Sequence, residues 1–357
     1  MIYVLLVLLS NSFIFSKKIL LTGGAGFIGS HVAQALLRRG DSVVIVDNFN
    51  DAYDISIKQY NISMVQQSDY HHRLTIYPVD ICDKEKMENI FLVEQPDTIC
   101  HLAARAGVRT SMQNPHEYFR SNNMGTLMIF ELARQFNVKH IVCASSSSVY
   151  GARHDGSFTE TDVVDKQLST YGVTKRCGEL LAYVYHLFYG MSITNLRFFS
   201  VYGPRGRMDM APFIFMDAIY HNNTIVVYGD GSMIRDFTYV DDIVDGVLRS
   251  IDTPLGYQIL NIGRGEPIVL ADFINIMENI VGKRADIQYA AQIASDVPLT
   301  HANITKAQEL IGYQPQTSVI AGLKKMYDWY KNEFITLSTY LKRTNNMTKQ
   351  VEVYFIE

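Results

Sequence analysis

The chain has 357 residues, 48% of them apolar and 19% charged. That balance suffices for one large domain or two smaller ones and argues against disorder. The formal net charge is −4, with no basic block, which argues against a protein that works through nucleic-acid backbone contacts.

The first fifteen residues, MIYVLLVLLSNSFIF, are nearly all apolar. A membrane span needs roughly 20 apolar residues, and this run is short and broken by Ser10, Asn11 and Ser12. A signal peptide carries its positive charge ahead of the apolar stretch, whereas Lys17 and Lys18 follow this one. The favoured reading is a leader over residues 1–17 that does not span. Membrane contact through residues 1–15 is the open alternative.

Residues 18–22 (KILLT) form an apolar run that ends in a glycine turn, the pattern of a buried parallel strand. Residues 28–39 carry helical spacing, with Ile28, Val32, Ala35 and Leu36 on one face, and Gly40 stops the helix. A second strand follows at 42–46 (SVVIV), and further apolar runs at 74–79, 97–102, 140–145 and 193–198. Helical stretches lie between most of them. The alternation predicts an α/β fold: a Rossmann-type, doubly wound parallel sheet over residues 18–199. Beyond residue 200, helical segments near 211–221, 241–251, 270–281 and 321–332 alternate with short strands. They predict a smaller α/β substrate-binding domain over 200–334, with the chain crossing back near 236–260. Residues 335–357 read as a tail. Cys82, Cys100, Cys143 and Cys177 show neither metal spacing nor a CxxC pair. They read as reduced thiols of a cytoplasmic protein.

Two motifs carry the chemistry. Gly23, Gly26 and Gly29 follow the first strand and open the first helix. Gly23 permits the turn, Gly26 leaves room for a pyrophosphate, and Gly29 allows the helix to pack. The helix N-terminus, with Phe27 and Ile28, offers free amides to phosphate. Asp47 closes the second strand, where a carboxylate accepts the adenosine ribose hydroxyls and repels a 2′-phosphate, favouring NAD over NADP. Asn48 stands beside it. Asp80 and Ile81 fit the adenine, and Leu102, Ala103 and Ala104 allow close backbone approach. Asn122 completes the expected cofactor set.

Downstream, Tyr171 and Lys175 are spaced i and i+4 on a helix and share one face. A phenol titrates at about 10 when unperturbed. A nearby ammonium and a positive nicotinamide ring favour the phenolate, so Tyr171 can act as a general base. The serine run 145–148 ends a strand at the carboxyl edge of the sheet, where open sheets bind ligands. Ser146 first, and Ser148 second, are placed to hydrogen-bond the reacting oxygen.

These motifs, with DNFNDAYD (47–54), HLAARAGVRTS (101–111), ASSSSVYG (144–151), LRFFSVYGPRGRMDMA (196–211) and RDFTYVDDIVDGV (235–247), make the resemblance specific. The chain resembles an extended short-chain dehydrogenase/reductase of the nucleotide-sugar epimerase/dehydratase branch, from about Lys18 to Tyr330. Within it the chain is most similar to the UDP-glucuronate 4-epimerases. The resemblance implies a UDP-sugar substrate, an NAD cofactor and a homodimer formed through the Tyr171 helix and its neighbour near 116–134. It implies that Ser200 and Arg207 meet the sugar carboxylate, that Arg235 meets the UDP pyrophosphate, and that Asp296 meets the nucleotide ribose. Arg109 is a further substrate candidate. Arg205 stands where the family often has an apolar residue, which bears on substrate preference. Related dehydratases carry an Asp-Glu pair where this chain has Ser147 and Ser148, and related decarboxylases carry Glu at the Ser148 position. Neither acid is present. The alternatives are an epimerase of a neutral or N-acetylated UDP-hexose and a non-catalytic NAD-binding protein.

Overall fold

The computed structural model describes residues 16–153, 155–292 and 297–336. The leader over 1–15, Asp296, and the tail from 337 lie outside the described residues. In chain order the elements are β1 (Lys18–Thr22), α1 (Phe27–Arg39), β2 (Ser42–Val46), α2 (Ile55–Gln66), β3 (Leu74–Tyr77), α3 (Lys84–Glu94), β4 (Thr98–His101), α4 (Val108–Gln113), α5 (Pro115–Tyr118), α6 (Gly125–Gln135), β5 (His140–Ser146), α7 (Thr170–Tyr189) and β6 (Ser192–Phe198). There follow β7 (Ser200–Tyr202), α8 (Ala211–His221), β8 (Thr224–Tyr228), β9 (Ile234–Arg235), β10 (Phe237–Tyr239), α9 (Val240–Asp252), β11 (Tyr257–Ile262), β12 (Ile268–Val269), α10 (Leu270–Val281), β13 (Asp286–Ala290), α11 (Thr305–Ile311) and α12 (Val319–Trp329). π-Helical turns join α5 to α6 (Phe119–Met124) and extend α12 (Tyr330–Phe334).

Seven strands form one parallel sheet in the order β11-β6-β5-β4-β1-β2-β3. The strands are apolar throughout because both faces are covered. Successive side chains point to opposite faces. Ile19, Leu21, Val43 and Ile45 pack with α1 (Val32, Leu36) and α9 (Ile243, Val247), while Leu20, Val44 and Ile99 pack with α3, α6 and α7. Helix α1 ends at Gly40, whose φ of 96° places it in the left-handed region that glycine tolerates best. The third strand stops at Tyr77, short of the apolar run 74–79, because Pro78 has no N–H for the ladder.

The seventh strand, β11, returns to the main sheet beside β6, and α9 packs on α1. The first core cluster runs unbroken from the sheet face through α9 to α8, α10 and α12, so the smaller region is joined by packed core as well as by chain. There β8 pairs with β13, β9 with β12 and β7 with β10. Phe237 and Phe273 stack at 3.9 Å between ring centroids. Among the described residues, no helix is long and apolar enough to cross a membrane.

Helix α7 is seated by a buried charge cluster. Its start is capped by Ser169, whose Oγ accepts from Gly172 N at 3.1 Å. Two turns on, Glu179 is 1% exposed and faces the sheet. It accepts from Ser145 Oγ on β5 at 2.7 Å, from Arg197 Nε and Nη2 on β6 at 2.8 and 2.9 Å, and from Arg176 Nη1 at 2.9 Å. The Arg197 guanidinium also lies over the Tyr150 ring, 4.7 Å from its centroid. Glu179→Ala strands a buried guanidinium and should cost about 3–5 kcal/mol of stability; urea denaturation of this variant beside the parent measures it.

Candidate active site

The carboxyl ends of the sheet strands and the smaller region enclose a cleft of about 750 Å³. Its floor is the turn between β1 and α1. At Gly23 φ is +74°, and a Cβ there would lie 2.7 Å from Ala103 N, so the turn sits directly on the loop after β4. A Cβ on Gly29 would lie 2.1 Å from Gly23 O. Gly29 is therefore required by the turn closing on itself, more than by the helix–sheet packing expected from the sequence. Gly26 is the N-cap of α1 and makes no side-chain cap hydrogen bond. Phe27 and Ile28, the first residues of α1, line the cleft beside this glycine, and a helix start with free amides fits a pyrophosphate.

Asp47 is 7% exposed and braces this turn. Its carboxylate accepts from Ala25 N at 3.1 Å and from Phe49 N at 2.9 Å. Lys58 Nζ, from α2, lies 3.7 Å away and donates to Asn50 Oδ1 at 3.0 Å. Asp80 accepts from Asn48 Nδ2 at 3.1 Å, from Cys82 N at 2.9 Å and from Arg120 Nη2 at 2.8 Å. Ile81, Leu102, Ala103 and Ala104 also line the cleft.

Asn122 does not line this wall. It is 3% exposed, and lies behind the wall. Its Oδ1 accepts from Arg105 N at 2.8 Å, and its Nδ2 donates to Arg105 O at 3.0 Å and to Thr174 Oγ1 at 2.9 Å. Thus it ties the loop after β4 to the catalytic helix. A second buried tie runs through His101, with Nδ1 2.7 Å from Thr22 Oγ1 and Nε2 3.0 Å from Thr126 Oγ1. The Thr126 hydroxyl gives its hydrogen to Asn122 O, so Nε2 carries the ring proton and Nδ1 accepts. Burial holds His101 neutral, lowering it to about 3.

Tyr171 and Lys175 face the cleft from α7. Lys175 Nζ donates to Ala144 O at 2.8 Å and sits 5.9 Å from the Tyr171 ring centroid. Burial lowers Lys175 to about 8, against the charges of Cys143 and Glu179. Burial likewise raises the Tyr171 phenol, opposed by a hydrogen bond with Ser146 and by the Arg207 charge. Burial thus works against the phenolate, and the Ser146 hydrogen bond and the Arg207 charge work for it. Ser146 Oγ accepts from Ser148 N at 3.1 Å and donates to Ser148 Oγ at 3.2 Å. The two serines share one hydrogen-bond system beside the phenol.

Ser200, Arg207, Arg235 and Arg109 also line the cleft. The Arg207 guanidinium lies 5.8 Å from the Tyr53 ring centroid, and that of Arg109 lies 4.4 Å from the Tyr228 centroid, spanning the cleft. Arg205 points elsewhere. It is 6% exposed and donates from Nη2 to Gln34 Oε1 on α1 at 2.7 Å, so it braces the loop and does not touch the cleft. Sequence reasoning missed Lys58 and Tyr53. The signal for Lys58 was a cation on the same helix face as Asn61, Ile62 and Val65. The cleft is lined by Lys58, Arg109, Lys175, Arg207 and Arg235 against Asp47, Asp80 and Asp209. This cationic excess suits ligands that carry phosphates and a carboxylate.

Residues 19–263 match the family described as NAD dependent epimerase/dehydratase. The UDP-glucuronate 4-epimerase of Thermodesulfobacterium geofontis is 44% identical over 313 residues, covering 87% of this chain and 95% of that one. The crystal structure of UDP-glucuronic acid 4-epimerase from Bacillus cereus, in complex with UDP-glucuronic acid and NAD, superposes with a TM-score of 0.81 at 36% identity, covering 88% and 99% of the two chains. The UDP-glucose 4-epimerase of Thermotoga maritima, solved with UDP-glucose, has a TM-score of 0.81 at 30% identity, covering 89% and 99%. The chain belongs to the NAD-dependent epimerase/dehydratase family.

The depressed Lys175 gives a signed pH prediction. Its folded value is about 8 and its ordinary value 10.5, so the unfolded chain binds more protons between them. The cofactor-free protein should therefore gain stability relative to a Lys175→Met variant as pH rises through that window, by up to about 1.4 kcal/mol per pH unit. Urea denaturation of both proteins at several pH values tests this; a difference independent of pH would contradict it.

Proposed function

We propose that this member of the family interconverts UDP-glucuronate and UDP-galacturonate by NAD-dependent inversion at carbon 4 of the sugar. The observation that carries this reading is that a proton acceptor and a carboxylate reader face the same cleft. Tyr171, Ser146, Ser200 and Arg207 all line it, and the Arg207 charge acts on the Tyr171 phenol. The uncapped, glycine-flanked start of α1 and the Asp47–Lys58 pair at the end of β2 suit the pyrophosphate and adenosine ribose of NAD. The turn 23–29 holds the pyrophosphate, Asp47 and Lys58 the adenosine ribose, Asp80 and Ile81 the adenine, and Lys175 the nicotinamide ribose. Bound there, NAD would supply hydride acceptance from carbon 4 and donation back to it, with inversion following from a turn of the 4-keto sugar between the two transfers.

The chain's own residues do the rest. Tyr171 Oη receives the proton of the 4-hydroxyl and gives it back, its phenolate favoured by the positive charge of the bound cofactor. Ser146 holds the reacting oxygen and Ser148 orients Ser146. Arg235 and Arg109 take the UDP pyrophosphate. Arg207 and Ser200 fix the carboxylate through charge-assisted hydrogen bonds. They hold it near the plane of the transient 4-ketone, where the bond to carbon dioxide overlaps poorly with the π system. Ser147 and Ser148 stand where related dehydratases carry the acids that eliminate water, and neither offers a carboxylate for that step.

We assign residues 18–199 and β11 to the cofactor-binding part, and the remainder to 334 to the sugar-nucleotide part, in a cytoplasmic homodimer. Supporting the dimer, α7 exposes Leu180 (51%), Leu187 (59%) and Phe188 (72%), beside Phe119 and Met124; Leu181 packs inward. An apolar face of this kind on two adjacent helices marks an association surface. The double substitution Leu187→Glu, Phe188→Glu should convert a particle of twice 40.5 kDa to a monomer in light scattering; an unchanged mass would reject this face.

Two substitutions test the chemistry by steady-state kinetics. Tyr171→Phe should lower turnover by about 10²–10⁴-fold while retaining nucleotide binding. Arg207→Ala should raise KM for UDP-glucuronate by about 10–100-fold, the worth of a charge-assisted pair, and barely affect UDP-glucose. Little effect of Arg207→Ala on either sugar would favour a neutral-hexose epimerase.

A further inference from the structure

The Arg207 guanidinium is already occupied by a carboxylate of this chain. Nε donates to Asp209 Oδ1 at 3.0 Å and Nη2 donates to Asp209 Oδ2 at 2.6 Å. This is the fork-to-fork pairing that a uronate would make. The Arg207 side chain is 15% exposed and that of Asp209 is 42% exposed, so the arginine belongs to the wall and the aspartate to its mouth. Both line the cleft.

The pair is local. One residue separates the partners, and Met210 N donates back to Arg207 O at 3.2 Å. Asp209 has a place to go when displaced. It precedes Met210, the N-cap of α8, and that helix starts without a side-chain cap hydrogen bond. A carboxylate swung outward meets solvent and the positive end of α8.

We propose that Asp209 is a specificity-determining residue, an internal carboxylate that holds Arg207 in the empty site and gives way to the carboxylate of the incoming sugar. This rests on the reading that Arg207 meets that carboxylate. Two carboxylates on one largely buried guanidinium repel each other, so Asp209 competes with the uronate whether it leaves fully or only retreats. A neutral sugar offers no replacement and leaves the internal pair closed. Uronate binding becomes an exchange of one carboxylate for another, and the arginine is at no stage left unpaired.

Titration calorimetry with UDP-glucuronate, UDP-glucose and UDP alone, on the parent, Asp209→Asn, Arg207→Ala and the double variant, tests this. Asp209→Asn should lower the Kd of UDP-glucuronate by about 2- to 5-fold, the scale of a partly exposed ion pair, and leave UDP and UDP-glucose unchanged. The gain should vanish in the double variant. Unchanged or weaker UDP-glucuronate binding in Asp209→Asn, with Arg207→Ala still impaired, overturns the proposal and leaves the carboxylate role of Arg207 intact. Loss of UDP affinity in Asp209→Asn also overturns it, because Asp209 would then be shaping the nucleotide site. Unimpaired UDP-glucuronate binding in Arg207→Ala overturns both.

Discussion

The seating of α7 on the sheet is the constraint on which the rest of the site depends. Tyr171 and Lys175 are useful only if their helix face meets the carboxyl ends of β5 and β6. Glu179 enforces this from one turn beyond Lys175, binding Ser145 on one strand and Arg197 on the next. Ser145 directly precedes Ser146, so the same contact that anchors the helix also sets the strand position of the serine that hydrogen-bonds the phenol. A buried ion pair contributes little net stability against an apolar alternative, but breaking it is costly. Its value here is geometric.

Around that anchor the cleft is organised by charge. The uncapped start of α1 and the cations of both walls favour a ligand rich in phosphate. Three of these cations have partners within the chain that a ligand can replace: Lys175 has Ala144 O, Arg207 has Asp209, and Lys58 has Asn50 and Asp47. Such partners keep buried cations satisfied while leaving them available to stronger anions. The phenol follows the same logic in reverse. Burial raises it in the protein alone, and the positive charge of a bound cofactor would favour its phenolate.

Much of this was legible in the sequence, for identifiable reasons. Strands covered on both faces give continuous apolar runs, so β1, β2, β5 and β6 stood out. β11 (YQILNI) did not. It carries polar residues, and Asn261 is tolerated in the core only because Tyr150 Oη donates to its Oδ1 and its Nδ2 donates to Phe158 O and Asn303 O. Residues whose roles follow from fixed local spacing, such as Gly23, Asp47, Tyr171 and Lys175, are in the cleft. Those whose direction depends on tertiary packing were harder. Asn122, expected in the cofactor set, and Arg205, expected to bear on substrate preference, point away from the cleft, and Lys58 reaches it from α2, which packs on α1. The Arg207–Asp209 pair was invisible because a sequence motif does not say which of two neighbouring charges faces the other.

The most direct test is proton NMR of the purified protein with catalytic NAD and UDP-glucuronate deuterated at carbon 4 of the sugar. The expected product is UDP-galacturonate that keeps its deuterium at carbon 4, with no carbon dioxide and no pentose, because the hydride is held within the site and returned after the 4-keto sugar has turned its other face towards it. Loss of the label to solvent, a decarboxylated product, or turnover confined to UDP-glucose would contradict it.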